Sequence, residues 1–271
     1  MSDKKQMKES IQKVIQTLMD GVMKRVLVTD PFLADEHRAR KPLYAFLVPD
    51  EIFKGSHFER RFVTPFGGAW EKLALVAGNT GGGKAKLQHA VTGNVNAERL
   101  RRIQEVLNGL EHRTDSSKKP DWDKEIAYVL EGESDSLIPT TVMADLYLET
   151  AEGQRFAFEL KAPLPNSDQT KVSKEKILKL YSMEPSKIDG AFYALPYNPY
   201  GPNKEDYAWT FPARWFNMKQ DKVVLIGGEF WDKIGGSGTY EAFLEAVNEI
   251  GGEYKERIYR EYLGIEPPEE V

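Results

Sequence analysis

Residues 140–161 decide the fold of this chain and read TTVMADLYLET-AEG-QRFAFELK. In the first part, 140–150, β-branched and apolar residues alternate with polar ones, which predicts a β-strand. Glu152 and Gly153 give a turn signal, and 154–161 predicts a second strand. We expect the two strands to pair as an antiparallel hairpin.

Further strands and helices are predicted on both sides of this hairpin. Apolar runs predict strands at 43–48, 191–195 and 223–226. Helical spacing of apolar residues predicts helices at 10–28, 64–77, 96–110, 123–130, 172–181 and 240–262, the last with a break near Gly251 and Gly252. Strands flanked by helices indicate an α/β (α+β) fold with a central mixed β-sheet covered by helices.

The composition is that of a globular protein with a sizeable core. Of 271 residues, 41% are hydrophobic and 29% are charged. We expect a single domain over 1–271, made of an N-terminal helical part (1–61), a catalytic core (62–236) and a C-terminal helix and tail (237–271). The chain has no cysteine, which excludes disulfides and thiolate metal sites.

The charge and the termini bear on location and partners. No apolar run approaches the roughly 20 residues that span a membrane, and 1–12 lacks the apolar centre of a signal peptide. We therefore expect a soluble, cytoplasmic protein. The net charge of −5 differs from that of many nucleic-acid binders, which are basic. Basic residues gathered on one face would still allow DNA binding.

Three charged residues of the hairpin carry the predicted chemistry, namely Asp145, Glu159 and Lys161. Residues two apart on a strand share a face, and a tight hairpin brings Asp145 across from the other two. The carboxylates can hold Mg²⁺ through oxygen, with the carbonyl of Leu160 as a further ligand. The cation would stabilise charge on a phosphate, while the lysine orients or activates water. This set predicts phosphodiester hydrolysis.

An ordinary ion pair on an edge strand is the alternative interpretation of Glu159 and Lys161. Two observations favour catalysis instead. The strand is otherwise apolar, so charges within it need a partner or a function. The next segment, 162–169, is polar and stiffened by prolines, and a lysine-rich helix follows it, as in a segment that lies along a phosphate backbone.

Residues 78–85, GNTGGGKA, nearly match the phosphate-binding loop of nucleotide triphosphatases. That motif needs Ser or Thr after the lysine to hold Mg²⁺, but Ala85 follows Lys84. It also needs a preceding strand, whereas a helix ended by Gly78 is predicted here. We therefore expect a flexible glycine-rich loop at 78–86. The four histidines are scattered and give no zinc spacing.

The hairpin residues resemble the PD-(D/E)XK nuclease superfamily, with Asp145 as the first acid and Glu159-Leu160-Lys161 as the E-x-K element. Ala144 stands where the motif name has proline. From about Phe62 onward, the chain also resembles the TdeIII/MjaII type of type II restriction endonuclease. Four segments carry this likeness, namely PDW at 120–122, ELKAPLPN at 159–166, LPYNPYG at 195–201 and GEFWDKIGG at 228–236.

The resemblance implies a restriction-endonuclease-like PD-(D/E)XK core that cuts double-stranded DNA with Mg²⁺. It implies a homodimer acting on a short palindrome, with GGNCC as the leading expectation, and a cognate DNA methyltransferase as functional companion. Many superfamily members also place a glutamate on a helix before the hairpin. Glu71 is the candidate for that role, and a half-exposed helix charge is the alternative.

DNA contacts are assigned to polar side chains that follow the catalytic strand. The candidates are Asn166, Gln169, Lys171, Lys174, Asn198 and Arg214. Asn198 suits the edge of adenine and Arg214 that of guanine, whereas a proline-rich structural loop is the alternative for 197–207. Two other functions stay open, a repair or structure-specific nuclease on the same fold and a non-catalytic DNA-binding protein.

Overall fold

The computed structural model of this protein describes residues 2–112 and 119–268. The chain divides into two compact units, one formed by Met1–Leu73 with Glu241–Val271 and the other by Ala74–Tyr240. The three-part division expected from the sequence stays a prediction. A polar loop expected at 115–119 lies outside the described residues apart from Lys119.

Strands and helices are interspersed between residues 84 and 226, and helices lie before and after this stretch. The helices are α1 (Ser2–Lys24), α2 (Ala34–Arg40), α3 (Pro42–Leu47), α4 (Asp50–Thr80), α5 (Ala97–Glu111), α6 (Trp122–Leu130), α7 (Ser167–Tyr181), α8 (Gly228–Gly235) and α9 (Thr239–Arg257). The strands are β1 (Lys84–Asn96), β2 (Leu137–Glu149), β3 (Arg155–Leu160), β4 (Met183–Glu184), β5 (Gly190–Leu195) and β6 (Val224–Ile226). Short π-helical turns follow α1 at Arg25–Thr29 and α9 at Ile258–Leu263.

The described strands form one mixed sheet of six strands in the order β4-β1-β2-β3-β5-β6. Neighbours from β4 to β3 pair antiparallel, whereas β3 with β5 and β5 with β6 are parallel. The expected central mixed sheet flanked by helices is therefore confirmed. The expected hairpin forms from β2 and β3, and Gly153 allows its turn by adopting a φ of +81°.

Helices cover both faces of the sheet in the unit 74–240. A large apolar core joins one face to α5, α6 and α7, with Leu107 and Ile177 among its fully buried residues. On the other face, Phe230 of α8 packs against Phe158 of β3 with ring centroids 5.8 Å apart. Because both faces of β3 are covered, Glu159 is a charged residue within a buried strand.

The unit of 1–73 with 241–271 is helical. α1 buries an apolar stripe at helical spacing, namely Ile11, Ile15, Met19 and Val22, and Val26 continues it in the π-helical turn that follows. The hydroxyl of Tyr254 in α9 donates to Asp20 at 2.5 Å, which ties the chain's end to its beginning. No helix among the described residues combines the length and the apolar character needed to cross a membrane.

In the N-terminal part, one prediction was wrong and one was confirmed with different bounds. The apolar run at 43–48, expected as a strand, lies largely in the helix α3, which begins at Pro42. The prediction failed because so short an apolar run does not distinguish a strand from a helix. The helix expected at 64–77 is the second half of the longer α4, which contains Pro65 and continues past Gly78 to Thr80. Thr64 lies inside this helix, where its hydroxyl donates to the Arg60 carbonyl.

Three further differences concern strands and glycines. β1 was missed, because one face of this strand is exposed and its sequence is largely polar. The glycine-rich loop expected at 78–86 shrinks to the short turn between α4 and β1. The break expected near Gly251 and Gly252 is absent, since α9 passes through both without interruption. A glycine costs a helix only about 1 kcal/mol relative to alanine, which neighbouring turns offset.

Candidate active site

The hairpin brings Asp145 and Glu159 onto one face of the sheet. The register pairs Leu146 with Phe158, so the next position places Asp145 opposite Glu159. The main-chain N–H of Leu160 donates to Asp145 Oδ2 at 2.9 Å. The backbone of β3 therefore holds the carboxylate of β2 beside Glu159.

The ammonium group of Lys161 lies among three oxygens. Its Nζ is 2.7 Å from Asp145 Oδ2, 3.4 Å from Glu159 Oε2 and 3.2 Å from the carbonyl oxygen of Leu160. These are the three residues whose oxygens the sequence predicted as cation ligands. The Lys161 ammonium thus lies at a position where three oxygen atoms converge on a positive charge. A donor set made only of oxygen fits Mg²⁺.

The protein would supply only part of a cation's coordination shell here. Within 2–112 and 119–268, no group of three or more His, Cys, Asp or Glu side chains is placed to hold a metal. Asp145, Glu159 and the Leu160 carbonyl would leave the other positions to water and phosphate oxygens. Mg²⁺ sites that act on phosphates have this character, because the ion keeps several waters and binds one or two carboxylates.

A second lysine, Lys176 of α7, also contacts the site. Its Nζ donates to Glu159 Oε1 at 2.8 Å and to the Met143 carbonyl at 2.8 Å. The sequence placed Lys176 only within a basic cluster, since a single helix pattern does not show how α7 crosses the sheet. The buried neighbours Ile177 and Leu178 were the one available signal that this part of α7 faces the sheet.

Burial and charge shift the pKa values of the central pair. Glu159 is 2% exposed, and this burial raises the pKa of its carboxyl, as does the charge of Asp145, against the opposing effect of Lys161 and Lys176. Burial lowers the pKa of Lys161, but the attraction of Asp145 and Glu159 outweighs it and leaves that pKa above its usual value. Lys161 is therefore a cation at neutral pH.

The pairing of β1 with β2 is irregular next to Asp145. Leu87 pairs with Leu146 and His89 with Ala144, which places Gln88 opposite Asp145. Gln88 has a φ of +47°, a left-handed conformation that is uncommon for residues other than glycine. Such backbone strain clusters at functional sites, because the surrounding structure must hold it in place.

Comparison with known proteins identifies the family. Residues 7–251 match the model of the family described as "Type II restriction endonuclease, HinfI". The chain belongs to this family of type II restriction endonucleases. It is therefore a nuclease of the hydrolase class that acts on specific sites in double-stranded DNA, and its sheet with flanking helices is a restriction-endonuclease-like fold.

Two curated relatives are type II restriction enzymes of Herpetosiphon aurantiacus. HgiCII is 27% identical over 229 residues, which are 82% of this chain and 82% of HgiCII. HgiEI is 27% identical over 218 residues, which are 78% of this chain and 77% of HgiEI. The type II restriction endonuclease class expected from the sequence is confirmed, and the matching family is that of HinfI, whereas the motif resemblance named the TdeIII/MjaII type.

The remaining catalytic candidate of this restriction endonuclease, Glu71, lies on another part of the fold. Glu71 is a partly buried residue of α4 in the unit of 1–73 with 241–271, whereas the hairpin belongs to 74–240. Type II restriction endonucleases generally use divalent metal ions, in keeping with the oxygen-rich site at Asp145 and Glu159. A catalytic role for Glu71 stays a prediction.

The amide candidates for DNA contact lie at loop and helix ends. Asn166 is the N-cap of α7, and its Oδ1 accepts the main-chain N–H of Gln169 at 2.8 Å. Both side chains are exposed, and DNA contact stays a prediction for both. Asn198 accepts the N–H of Tyr200 and donates to the Asn203 carbonyl, which agrees with the structural alternative for this loop.

The three basic candidates contact other protein groups. Lys171 donates to the Glu111 carboxylate at 2.6 Å, and Arg214 donates to the Glu111 carbonyl at 2.6 Å. Both are partly exposed, and their contact with DNA stays a prediction. Lys174 is fully buried and paired with Glu125, so its assignment to DNA is corrected: it has no access to a phosphate.

The glycine-rich segment at 78–84 connects α4 to β1, which is opposite to the strand–loop–helix order of a phosphate-binding loop. Packing accounts for Gly81 and Gly83, whereas Gly82 adopts a φ of +88° that favours glycine. A Cβ on Gly81 would lie 2.6 Å from the carbonyl oxygen of Gly235, and one on Gly83 would lie 2.6 Å from Leu148. Lys84 is exposed and lies near Glu149.

Proposed function

We propose that this endonuclease hydrolyses phosphodiester bonds at a short palindromic site in double-stranded DNA with Mg²⁺, through a PD-(D/E)XK site. The supporting observation is the convergence of Asp145, Glu159 and the Leu160 carbonyl on one cationic group, Lys161. Three oxygen donors beside a lysine are the groups that metal-assisted hydrolysis of a phosphodiester requires.

Each residue of the site has a role in this proposal. Bound Mg²⁺ would stabilise charge on the phosphate and lower the pKa of a water. Asp145, held by the Leu160 N–H, and Glu159 bind the cation. Lys161 keeps its proton next to these carboxylates, so its ammonium can orient the attacking water or stabilise the developing charge on phosphate. Glu71 is proposed as an auxiliary acid.

The assembly and the DNA site follow the same proposal. A homodimer would match a palindrome by placing one hairpin on each strand. GGNCC is the leading candidate sequence, and a cognate methyltransferase in the same cytoplasm would protect host DNA. Asn166, Gln169, Lys171, Asn198 and Arg214 are the proposed DNA contacts.

Digestion of a long DNA of known sequence tests the proposal. The purified protein is incubated with and without Mg²⁺, beside the Lys161→Met variant and the control Lys222→Met. Lys222 is 82% exposed and pairs only loosely with Asp123, so its loss removes a charge of the same kind away from the hairpin. We expect discrete Mg²⁺-dependent fragments from the unaltered and control proteins and none from Lys161→Met.

The other outcomes distinguish the alternatives. Full activity of Lys161→Met would refute the assignment of the site. Nicking of mismatched or branched DNA without discrete fragments would identify a structure-specific nuclease instead. Tight binding without cleavage under every divalent cation would identify a DNA-binding protein. The ends of the fragments would give the recognition sequence.

A further inference from the structure

The two carboxylate oxygens of Glu159 have different partners. Oε2 lies 3.4 Å from the Lys161 ammonium, which also contacts Asp145 and the Leu160 carbonyl, whereas Oε1 accepts a hydrogen bond from the ammonium of Lys176 at 2.8 Å. A carboxylate with one free oxygen can rotate about its last side-chain bond, because that torsion is broad. The contact with Lys176 restricts this rotation and leaves Oε2 as the oxygen directed at the predicted cation site.

Lys176 also joins the two strands of the hairpin. The same ammonium donates to the carbonyl of Met143, which lies two residues before Asp145 in β2. One side chain of α7 therefore fixes both the backbone of β2 and the carboxylate of β3. Metal ligands are commonly oriented by such outer partners, and their loss weakens metal binding.

The backbone of α7 that carries Lys176 is itself held in place. α7 begins with the Asn166 cap soon after the catalytic strand, and Ile177 and Leu178 anchor the same turn in the core. The Lys176 side chain is 28% exposed. An ion pair between two exposed groups contributes little to stability. Here the acceptor Glu159 is buried, so its carboxylate cannot exchange the contact with Lys176 for a contact with water.

We propose that Lys176 is a positioning residue for the cleavage reaction. It holds the Glu159 carboxylate so that Oε2 is directed at the predicted cation site, which Asp145 and the Leu160 carbonyl complete. The proposal rests on the function proposed above. It assigns Lys176 no contact with the scissile phosphate, and therefore separates it from Lys161. Its loss should weaken metal binding and slow the chemical step, while DNA binding persists.

Three variants test this role. Lys176→Met removes the ammonium, Lys176→Arg restores a cation with several donors, and Lys179→Met is the matched control. Lys179 lies on the same helix, is 29% exposed and pairs with Glu175 at 2.6 Å, away from the hairpin. Thermal unfolding is recorded first, and Lys176→Gln replaces Lys176→Met if the latter does not fold.

Two readouts are needed, one of them independent of cleavage. Binding of Mn²⁺ to the DNA-free protein is measured from the electron paramagnetic resonance signal of the free ion. Initial cleavage rates are measured at saturating Mg²⁺ over a range of DNA concentrations, which separates kcat from the KM for DNA. We expect Lys176→Met to weaken Mn²⁺ binding roughly tenfold or more and to lower kcat, with KM unchanged. Lys176→Arg should recover part of both, and Lys179→Met should match the unaltered protein.

Either of two results would overturn the inference. Unchanged Mn²⁺ affinity and kcat in Lys176→Met would show that the contact does not position Glu159. A raised KM with unchanged Mn²⁺ affinity would make Lys176 a DNA contact instead. Failure of the proposed function is distinguishable from both, because the unaltered protein would then neither bind Mn²⁺ nor cleave.

Discussion

Lys174 and Lys176 are two residues apart on α7, and each pairs with a buried glutamate, yet the two sites differ. Lys174 is fully buried, pairs with Glu125, donates to the Trp215 carbonyl at 2.5 Å and lies 4.8 Å from the Phe216 ring centroid. Lys176 and Lys161 both pair with Glu159, and Lys161 also pairs with a second acid, Asp145. Both lysines are partly exposed.

The balance between burial and nearby charge explains why the pKa of Lys174 and the pKa of Lys161 shift in opposite directions. At Lys174 burial outweighs the attraction of Glu125, Asp221 and Asp121 and lowers the pKa of the ammonium. At Lys161 two carboxylates outweigh burial and raise it. A buried ion pair is therefore no mark of catalysis by itself. Direct pairing of one lysine with two carboxylates, together with access to solvent, distinguishes the predicted cation site from the structural pair.

The largest expected effect is on cleavage at the hairpin. Asp145→Asn, Glu159→Gln and Lys161→Met should each lower the cleavage rate by at least about a hundredfold. Asp145→Asn and Glu159→Gln relieve repulsion between the two carboxylates, so their unfolding temperature should be unchanged or raised. Lys161→Met removes the cation that pairs with both carboxylates, so its unfolding temperature should fall. Initial rates on DNA and thermal unfolding provide the measurements. Loss of folding in Asp145→Asn would mean that the hairpin site is structural, as Lys174 is.

The next effect is on stability at the other pair. Lys174→Met should lower the free energy of unfolding by about 3–5 kcal/mol, because Glu125 is left buried without its partner. Cleavage per folded molecule should stay unchanged. Urea unfolding measures the difference. Adding Glu125→Leu should recover most of the loss, since the buried charge is then removed; a double variant as unstable as the single one would contradict this account.

A smaller effect is expected at the cap of α7, the helix that carries both lysines. Asn166→Ala should cost about 1 kcal/mol of stability, because the N–H of Gln169 loses its acceptor. Asn166→Asp keeps an acceptor and should be as stable as the original. Comparing DNA affinity in these two variants separates capping from DNA contact: weaker binding in both variants would favour contact, whereas weaker binding in Asn166→Ala alone would follow from the lost cap.

The smallest effect is expected at Lys84. This residue is 80% exposed and lies 3.6 Å from Glu149, and such pairs contribute about 0–1 kcal/mol. Lys84→Ala should cleave DNA within about twofold of the unaltered rate, a change that this small energy allows. Cleavage assays and ATP binding by calorimetry check it. Loss of cleavage together with loss of ATP binding would restore the nucleotide interpretation.

Local patterns predicted the parts of the fold whose residues interact within the hairpin. Alternation in β2 and β3 and the turn at Gly153 were enough to place Asp145 beside Glu159. The strand β1 escaped notice because one of its faces is exposed and much of its sequence is polar. The contact of Lys176 with Glu159 depends on how α7 lies on the sheet, and the burial of Lys174 depends on Glu125 of α6, information that no single segment contains.

The connection between α4 and β1 also bears on motif searches. Gly81 and Gly83 lie where any added methyl group would collide with Gly235 or Leu148. Steric exclusion between chain segments can therefore produce the same glycine spacing that phosphate recognition produces. A search that scores only glycine and lysine positions would retrieve such connections as false positives, whereas one that also requires strand before loop and helix after it would reject them.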